Sequence, residues 1–144
     1  MWKELQTEQD LQRFMEEMSH FHDACIKELK YVSGAYVNPN LGMHPLNDQR
    51  ALRVVLQRQF RNVPMVELEF RGLKLLRLQP IDEVYTCEIL DSTLRMQNGF
   101  IYWCDGGDIA DFESYNGTLI CASSLRWRPI ENRMGSEEYY HSPI

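Results

Sequence analysis

No stretch of this chain approaches the roughly 20 consecutive apolar residues that a membrane-spanning helix needs. Its first residues, Met1-Trp2-Lys3-Glu4, lack the apolar core of a secretory signal. Cytoplasmic residence without a membrane partner is the resulting expectation. Basic clustering is also missing. The formal net charge is -6, and counterion release from a nucleic-acid backbone needs a basic patch that Arg126, Arg128 and Arg133 alone do not supply. No nucleic-acid partner is expected. The four cysteines, Cys25, Cys87, Cys104 and Cys121, form no Cys-x-x-Cys pair, so reduced thiols acting as small buried hydrophobes are the natural reading. Nucleophile elbows, phosphate loops and dinucleotide fingerprints are absent. No cofactor is expected, because 144 residues bury about two-thirds of their unfolded surface and build a core without a staple.

What the chain does contain is alternation. Leu52, Val54, Leu56 and Phe60 share one parity, opposed by Arg53, Gln57 and Gln59, with Val55 as the exception. Val66, Leu68 and Phe70 then alternate with Glu67, Glu69 and Arg71. A period of two is the mark of a half-buried strand. The link Arg61-Asn62-Val63-Pro64 supplies turn residues, so the two runs read as an antiparallel pair. One face is then oily, and the other is a solvated face with Arg53 opposite an acidic stripe.

Elsewhere the pattern is mixed. Thr7 followed by Asp10 forms an imperfect capping box ahead of Leu11, Phe14, Met15 and Met18 at helical spacing. Residues 21–37 favour a strand through Tyr31, Val32, Tyr36 and Val37, interrupted by Gly34. Residues 38–48 read as a surface loop. Gly72 predicts a bulge or bend before Leu73, Leu75 and Leu76 resume with changed parity. Further strands are expected over residues 85–90, 93–96, 100–104 and 118–129, with Gln97-Asn98-Gly99 as a tight hairpin turn. In the last strand Leu119, Cys121, Ser123, Leu125 and Trp127 share a parity against Ile120, Ala122, Ser124, Arg126 and Arg128. Residues 131–144, which include Glu137, Glu138 and Ser142-Pro143, lack periodicity and read as a fraying or irregular tail.

Two clusters carry possible chemistry. On a strand, His20 and His22 project to one face, and with Asp23 and an acid from Asp105, Asp108 or Asp111 they outline a metal-dependent hydrolase that acidifies a bound water. Histidines after a helix are also ordinary caps of its carboxyl end. Asp105-Gly106-Gly107-Asp108 lacks the later donors of a calcium loop and equally reads as a charged turn. A cysteine nucleophile is disfavoured: Cys104 sits beside Asp105, and on a strand His22 and Cys25 face opposite ways. Tyr102, Trp103, Trp127, Tyr139 and Tyr140 exceed what one small core face absorbs, and Trp103, Trp127, Tyr139 and Tyr140 are candidate interface residues.

At Phe21-His22-Asp23 with Ile26, and again at Ile101-Tyr102-Trp103-Cys104-Asp105, the chain resembles a family of small uncharacterised bacterial proteins. Through His22-Asp23 and its size it is also similar to small α+β immunity-type proteins of bacterial toxin systems. That resemblance implies binding and neutralising a toxin through an acidic surface, and it transfers no catalytic residue.

The expectation is a single α+β domain over residues 1–144, with one antiparallel sheet of about six strands and the N-terminal helix on one face. Its expected role is to bind another protein, or itself as a homodimer, without catalysis. Interaction predicts an apolar surface patch near Trp103 or Trp127, whereas metal-dependent hydrolysis predicts a pocket where His22 and an aspartate converge.

Overall fold

The structure is a computed structural model that describes residues 1–141. Ten regular elements follow one another: β1 (Lys3–Leu5), α1 (Glu8–Glu17), β2 (Ala24–Val32), β3 (Tyr36–Val37), β4 (Met43–His44), β5 (Ala51–Arg58), β6 (Met65–Arg77), β7 (Thr93–Gln97), β8 (Phe100–Cys104) and β9 (Leu119–Pro129). A seven-stranded sheet runs in the order β2-β5-β6-β9-β8-β7. β1 pairs with β9 at Leu125 to Trp127, while β8 pairs with β9 at Leu119 to Ala122, so these two strands share one side of β9. Every pairing is antiparallel. β3 and β4 form a separate two-stranded ribbon. No helix among the described residues is long and apolar enough to cross a membrane.

The helix starts where its cap dictates. The Asp10 amide donates to Thr7 Oγ1 at 3.0 Å, and Asp10 Oδ2 accepts from the Thr7 and Gln6 amides at 3.1 and 2.9 Å. These backbone donors hold the Asp10 carboxyl below its usual pKa. The shorter aspartate therefore completes the reciprocal capping box that glutamate usually makes. Leu11, Phe14, Met15 and Met18 are buried against the sheet, each contributing about 1.5–3 kcal/mol by removal from water. Phe14 meets Trp127 with ring centroids 4.9 Å apart and Phe21 at 5.8 Å.

The oily face of the central pair is as its alternation predicts. Leu52, Val54 and Leu56 lie opposite Phe70, Leu68 and Val66, and Leu125 and Trp127 of β9 extend the same layer under the helix. Asn98 and Gly99, with φ of 53° and 80°, make the β7–β8 turn. Gly72 has φ of +61°, and a Cβ there would meet Ser123 Oγ at 2.7 Å. The β6–β9 register slips just beyond it, between Leu73 and Leu75.

Several expectations are corrected. The charged face is not solvated: Glu67 and Glu69 are 0 % and 1 % exposed. Alternation shows that a face is polar, but whether it is wet depends on what lies over it, here Trp2 and the C-terminal segment. Residues 85–90 form no strand and pair with β2 through an isolated bridge between Ile89 and Ala24. The loop of residues 38–48 contains β4, and β1 precedes the helix. In β9, Ile120 and Ala122 join the main core together with Leu125 and Trp127, because the strand changes face level with Gly72. Trp103 and Trp127 are 1 % and 3 % exposed, so neither forms a surface patch. Of the cysteines, Cys104 and Cys121 are buried, but Cys87 is exposed and Cys25 is half-buried.

Candidate functional site

The His20-Phe21-His22-Asp23 cluster lies on no strand. It begins with a single 3-10 turn, Ser19–Phe21, between α1 and β2, and Ser19, His20, Phe21 and, two residues beyond the turn, Asp23 have φ between 53° and 60°. Left-handed backbone costs roughly 1–2 kcal/mol per non-glycine residue, so the surroundings must hold it. Phe21 is fully buried, Ser92 Oγ donates to the His20 carbonyl at 2.7 Å, and the Asp23 amide donates to the Ile89 carbonyl at 2.9 Å. The turn separates the two histidines. His22 Nδ1 lies 2.8 Å from the Leu90 carbonyl, which only accepts, so that nitrogen carries a proton. His22 Nε2 lies 3.3 Å from Asp23 Oδ2, and His20 Nδ1 lies 4.0 Å from Asp91 Oδ1.

His20 and Asp108 line a common cleft of about 380 Å³, together with Asp91, Arg95 and Gln12. Asp105 and Asp111 are occupied elsewhere. Asp105 Oδ1 accepts the Tyr115 hydroxyl and, at 3.1 Å, the Thr118 amide, while Asp111 Oδ1 accepts the Glu113 amide at 3.0 Å. Burial and the Asp105 carboxylate together push the Tyr115 phenol above its ordinary pKa. Arg77 donates to the Tyr115 and Gly117 carbonyls, and Arg95 to those of Ile109 and Ala110. The aspartates therefore organise the loop between β8 and β9. Among the described residues no group of three His, Cys, Asp or Glu side chains is placed to hold a metal ion. Burial raises the Cys104 thiol pKa, and burial followed by the neighbouring Cys87 raises that of Cys25, which keeps both protonated and poorly nucleophilic.

The second sheet face holds a buried ionic lattice. Glu69 receives Arg53 and Arg126 from its two neighbouring strands at 2.8 Å each, and Arg71 at 2.7 Å. Burial raises the Glu69 pKa, but the bonds from Arg126 and Arg53 outweigh it and the net shift is downward. Glu67 receives Arg128 at 2.7 Å and the Tyr140 hydroxyl at 2.6 Å. Trp2 lies over the Arg126 and Arg128 guanidinium groups at 4.5 and 4.3 Å. The C-terminal segment crosses this face on backbone contacts. The Tyr139 and Tyr140 amides donate to Glu28 at 2.6 and 3.0 Å, Lys27 Nζ to the Glu137 carbonyl at 2.6 Å, and Gln57 to the Gly135 carbonyl at 3.2 Å. Residues 131–141 are thus irregular but docked, while residues 142–144 of the expected tail lie outside the described residues. Tyr139 and Tyr140 serve here as a cover for Val55, Met65 and Ile130, which sequence spacing alone could not reveal.

Exposed apolar side chains lie elsewhere, from Leu75 to Leu90 and, in a second stretch, over the end of β2 and the arm between β2 and β5. No residue from Lys30 to Arg50 is buried. Tyr31, Val32, Tyr36, Val37, Leu41, Met43 and Leu46 are 37–84 % exposed. From Tyr31 to Asn47 there is no Asp, Glu, Lys or Arg, the longest such run in the chain. The arm is nonetheless shaped. Asn38 Oδ1 accepts the Asn40 and Gly42 amides at 3.0 and 2.9 Å, Tyr36 stacks on His44 at 4.7 Å, and the Ser33 carbonyl closes the base on the Gln49 and Arg50 amides. The missed signal was this absence of charge over so long a loop. Compared with protein-family models, curated proteins and solved structures, the chain matches none.

Proposed function

We propose that this chain is a non-enzymatic, cytoplasmic protein-binding module whose recognition element is the β3–β4 arm. The observation that carries the reading is the five exposed apolar side chains, Tyr36, Val37, Leu41, Met43 and Leu46, on an internally hydrogen-bonded loop that buries nothing of its own. Water-exposed apolar area of this extent is unfavourable unless another surface covers it. Pre-shaping by Asn38 and Ser33 lowers the ordering cost on association. The immunity-type likeness at His22-Asp23 falls in the same class, recognition without turnover.

A photo-crosslinking residue at Leu41 tests the reading in native cells, with the same probe at Glu16 on the exposed helix face as control. One discrete adduct at Leu41, absent at Glu16 and lost when Tyr36 and Met43 are both changed to Asp, is expected. Identical background from both positions would overturn it.

A further inference from the structure

We propose that Cys25 and Cys87 are a reversible redox pair, and that a disulfide between them pins residues 80–88 to the outer edge of β2. The inference is independent of the binding role given to the arm.

β2 stands at the end of the sheet order, so one of its edges has no full strand beside it. The chain between β6 and β7 meets that edge at Ala24. It is tied down at two places. The Gln79 amide donates to Thr118 Oγ1 at 3.0 Å. Ten residues later the Ile89 amide donates to the Ala24 carbonyl at 2.7 Å, and the Ile89 carbonyl accepts the Asp23 amide at 2.9 Å. Between these ties, among the described residues, the hydrogen bonds of residues 80–88 are all internal, from the Val84 and Tyr85 amides to Asp82 and from Thr86 Oγ1 to Glu88. Ile81, Val84 and Tyr85 are 51–79 % exposed. A segment with so few bonds to the rest of the fold opens locally at little cost, which gives Cys87 room to adjust.

The Ala24–Ile89 bridge brings the thiols together. It is antiparallel, so Glu88 falls opposite Cys25 and Cys87 lies one position further along. Strand spacing and rise put such diagonal Cα atoms about 6 Å apart, inside the roughly 4.4–6.8 Å that a disulfide accepts. On a regular strand Cys87 would turn away from Cys25. Residues 86–88 belong to no strand, however, and both cysteines line one cleft of about 530 Å³. Burial first, and then the Cys87 thiol, push the Cys25 pKa up, as expected of two thiols sharing a site. Cys104 and Cys121 are buried, so access selects one pair among the four cysteines.

Cys87, being exposed, is the point of entry. Its thiolate attacks one sulfur of a small-molecule disulfide such as glutathione disulfide, which forms a mixed disulfide and releases one glutathione. The Cys25 sulfur then attacks the Cys87 sulfur and releases the second. Two protein thiols are oxidised, one glutathione disulfide is reduced to two glutathione thiols, and the protons leave with them.

Incubation of the folded chain with glutathione disulfide, followed by unfolding, alkylation of the remaining thiols and peptide mass mapping, tests this. The wild-type chain is expected to lose two of its four free thiols, to retain no glutathione, and to yield one crosslinked peptide pair joining Cys25 to Cys87 that dithiothreitol reverses. Chymotryptic cleavage after Tyr85 is expected to slow several-fold in the oxidised chain, because the pinned Cys87 keeps the neighbouring peptide bond from entering a protease. Cys25→Ser is expected to stop at the mixed disulfide on Cys87. Cys87→Ser, changed at an exposed position that leaves folding intact, is expected to form no internal disulfide. Four free thiols in the treated wild-type chain, a mixed disulfide on Cys87 that never closes, a disulfide joining two chains, or cleavage after Tyr85 that is unaltered by oxidation would each overturn the proposal.

Discussion

The Tyr140 hydroxyl donates a 2.6 Å hydrogen bond to Oε2 of Glu67, a carboxylate with no exposed surface. Through that bond the C-terminal segment closes the polar face of the sheet, and the phenol in turn is driven above its ordinary pKa by burial and by the carboxylate. Glu67 and Glu69 are buried while their arginines keep part of their surface in water, so removing a donor from either carboxylate is expensive because the carboxylate stays dry.

Tyr140→Phe therefore removes a donor from a buried acceptor. The expected loss is about 1–3 kcal/mol in urea denaturation. Tyr139→Phe removes only a 3.3 Å contact to Arg128 and is expected to cost less than half as much. Equal effects of the two changes would contradict the arrangement.

Glu69→Gln weakens three arginine contacts at once. Arg53 and Arg71 are 40 % and 55 % exposed and fall back on water, so the loss comes chiefly from the half-buried Arg126 and about 1–3 kcal/mol is expected. Thermal melting checks it, and a change below about 1 kcal/mol would place this face in solvent after all.

The Glu28 carboxyl makes stability pH-dependent. Burial raises its pKa, yet Lys27 and the Tyr140 and Tyr139 amides bring it from 4.5 down to about 2. A depressed folded-state pKa means that the unfolded chain takes up the proton first. The contribution is complete above pH 4.5 and is lost as the pH falls toward 2. Denaturation midpoints measured across that interval should fall, and Glu28→Gln should flatten the slope while loosening the C-terminal segment in hydrogen exchange.

Gly72→Ala combines a left-handed backbone with a clash. At φ of +61° the added Cβ meets Ser123 Oγ at 2.7 Å and its Cβ at 2.9 Å. A cost of about 1–3 kcal/mol is expected, with only the steric part recovered in the double variant carrying Ser123→Gly. Full recovery would show that the backbone carries no strain there.

Replacing residues 34–49 by Asn-Gly joins Ser33 to Arg50 through a two-residue hairpin next to the existing Val32 and Ala51 pair. Because nothing in the arm is buried, the midpoint of urea unfolding should move by no more than about 1 kcal/mol relative to the intact chain.

Local chemistry was readable where near neighbours decide. Thr7 and Asp10 announce the helix start, Asn98-Gly99 the β7–β8 turn, and Gly72 the slip in β6. The His20 turn was not readable. Its left-handed backbone is imposed by Ser92, Ile89 and Leu90, some seventy positions away, so spacing that fits a strand could not warn of it. The Asp105 loop looked like a cation site because its real partners, Tyr115 and Thr118, follow ten and thirteen residues later.

Alternation in β5 and β6 by itself determined which side chains form the oily layer, since a pleated strand sends successive residues to opposite faces whatever lies around it. It likewise determined that Glu67 and Glu69 share the other face. Only the tertiary structure decided that the carboxylates on that face are dry. Water is excluded by Trp2 and Tyr140, which come from the two ends of the chain, and no local pattern in β6 encodes where those ends settle. The same long-range placement drew Trp103 and Trp127 into the core and left the uncharged arm outside it, because burial is a property of the assembled layers and not of any one strand.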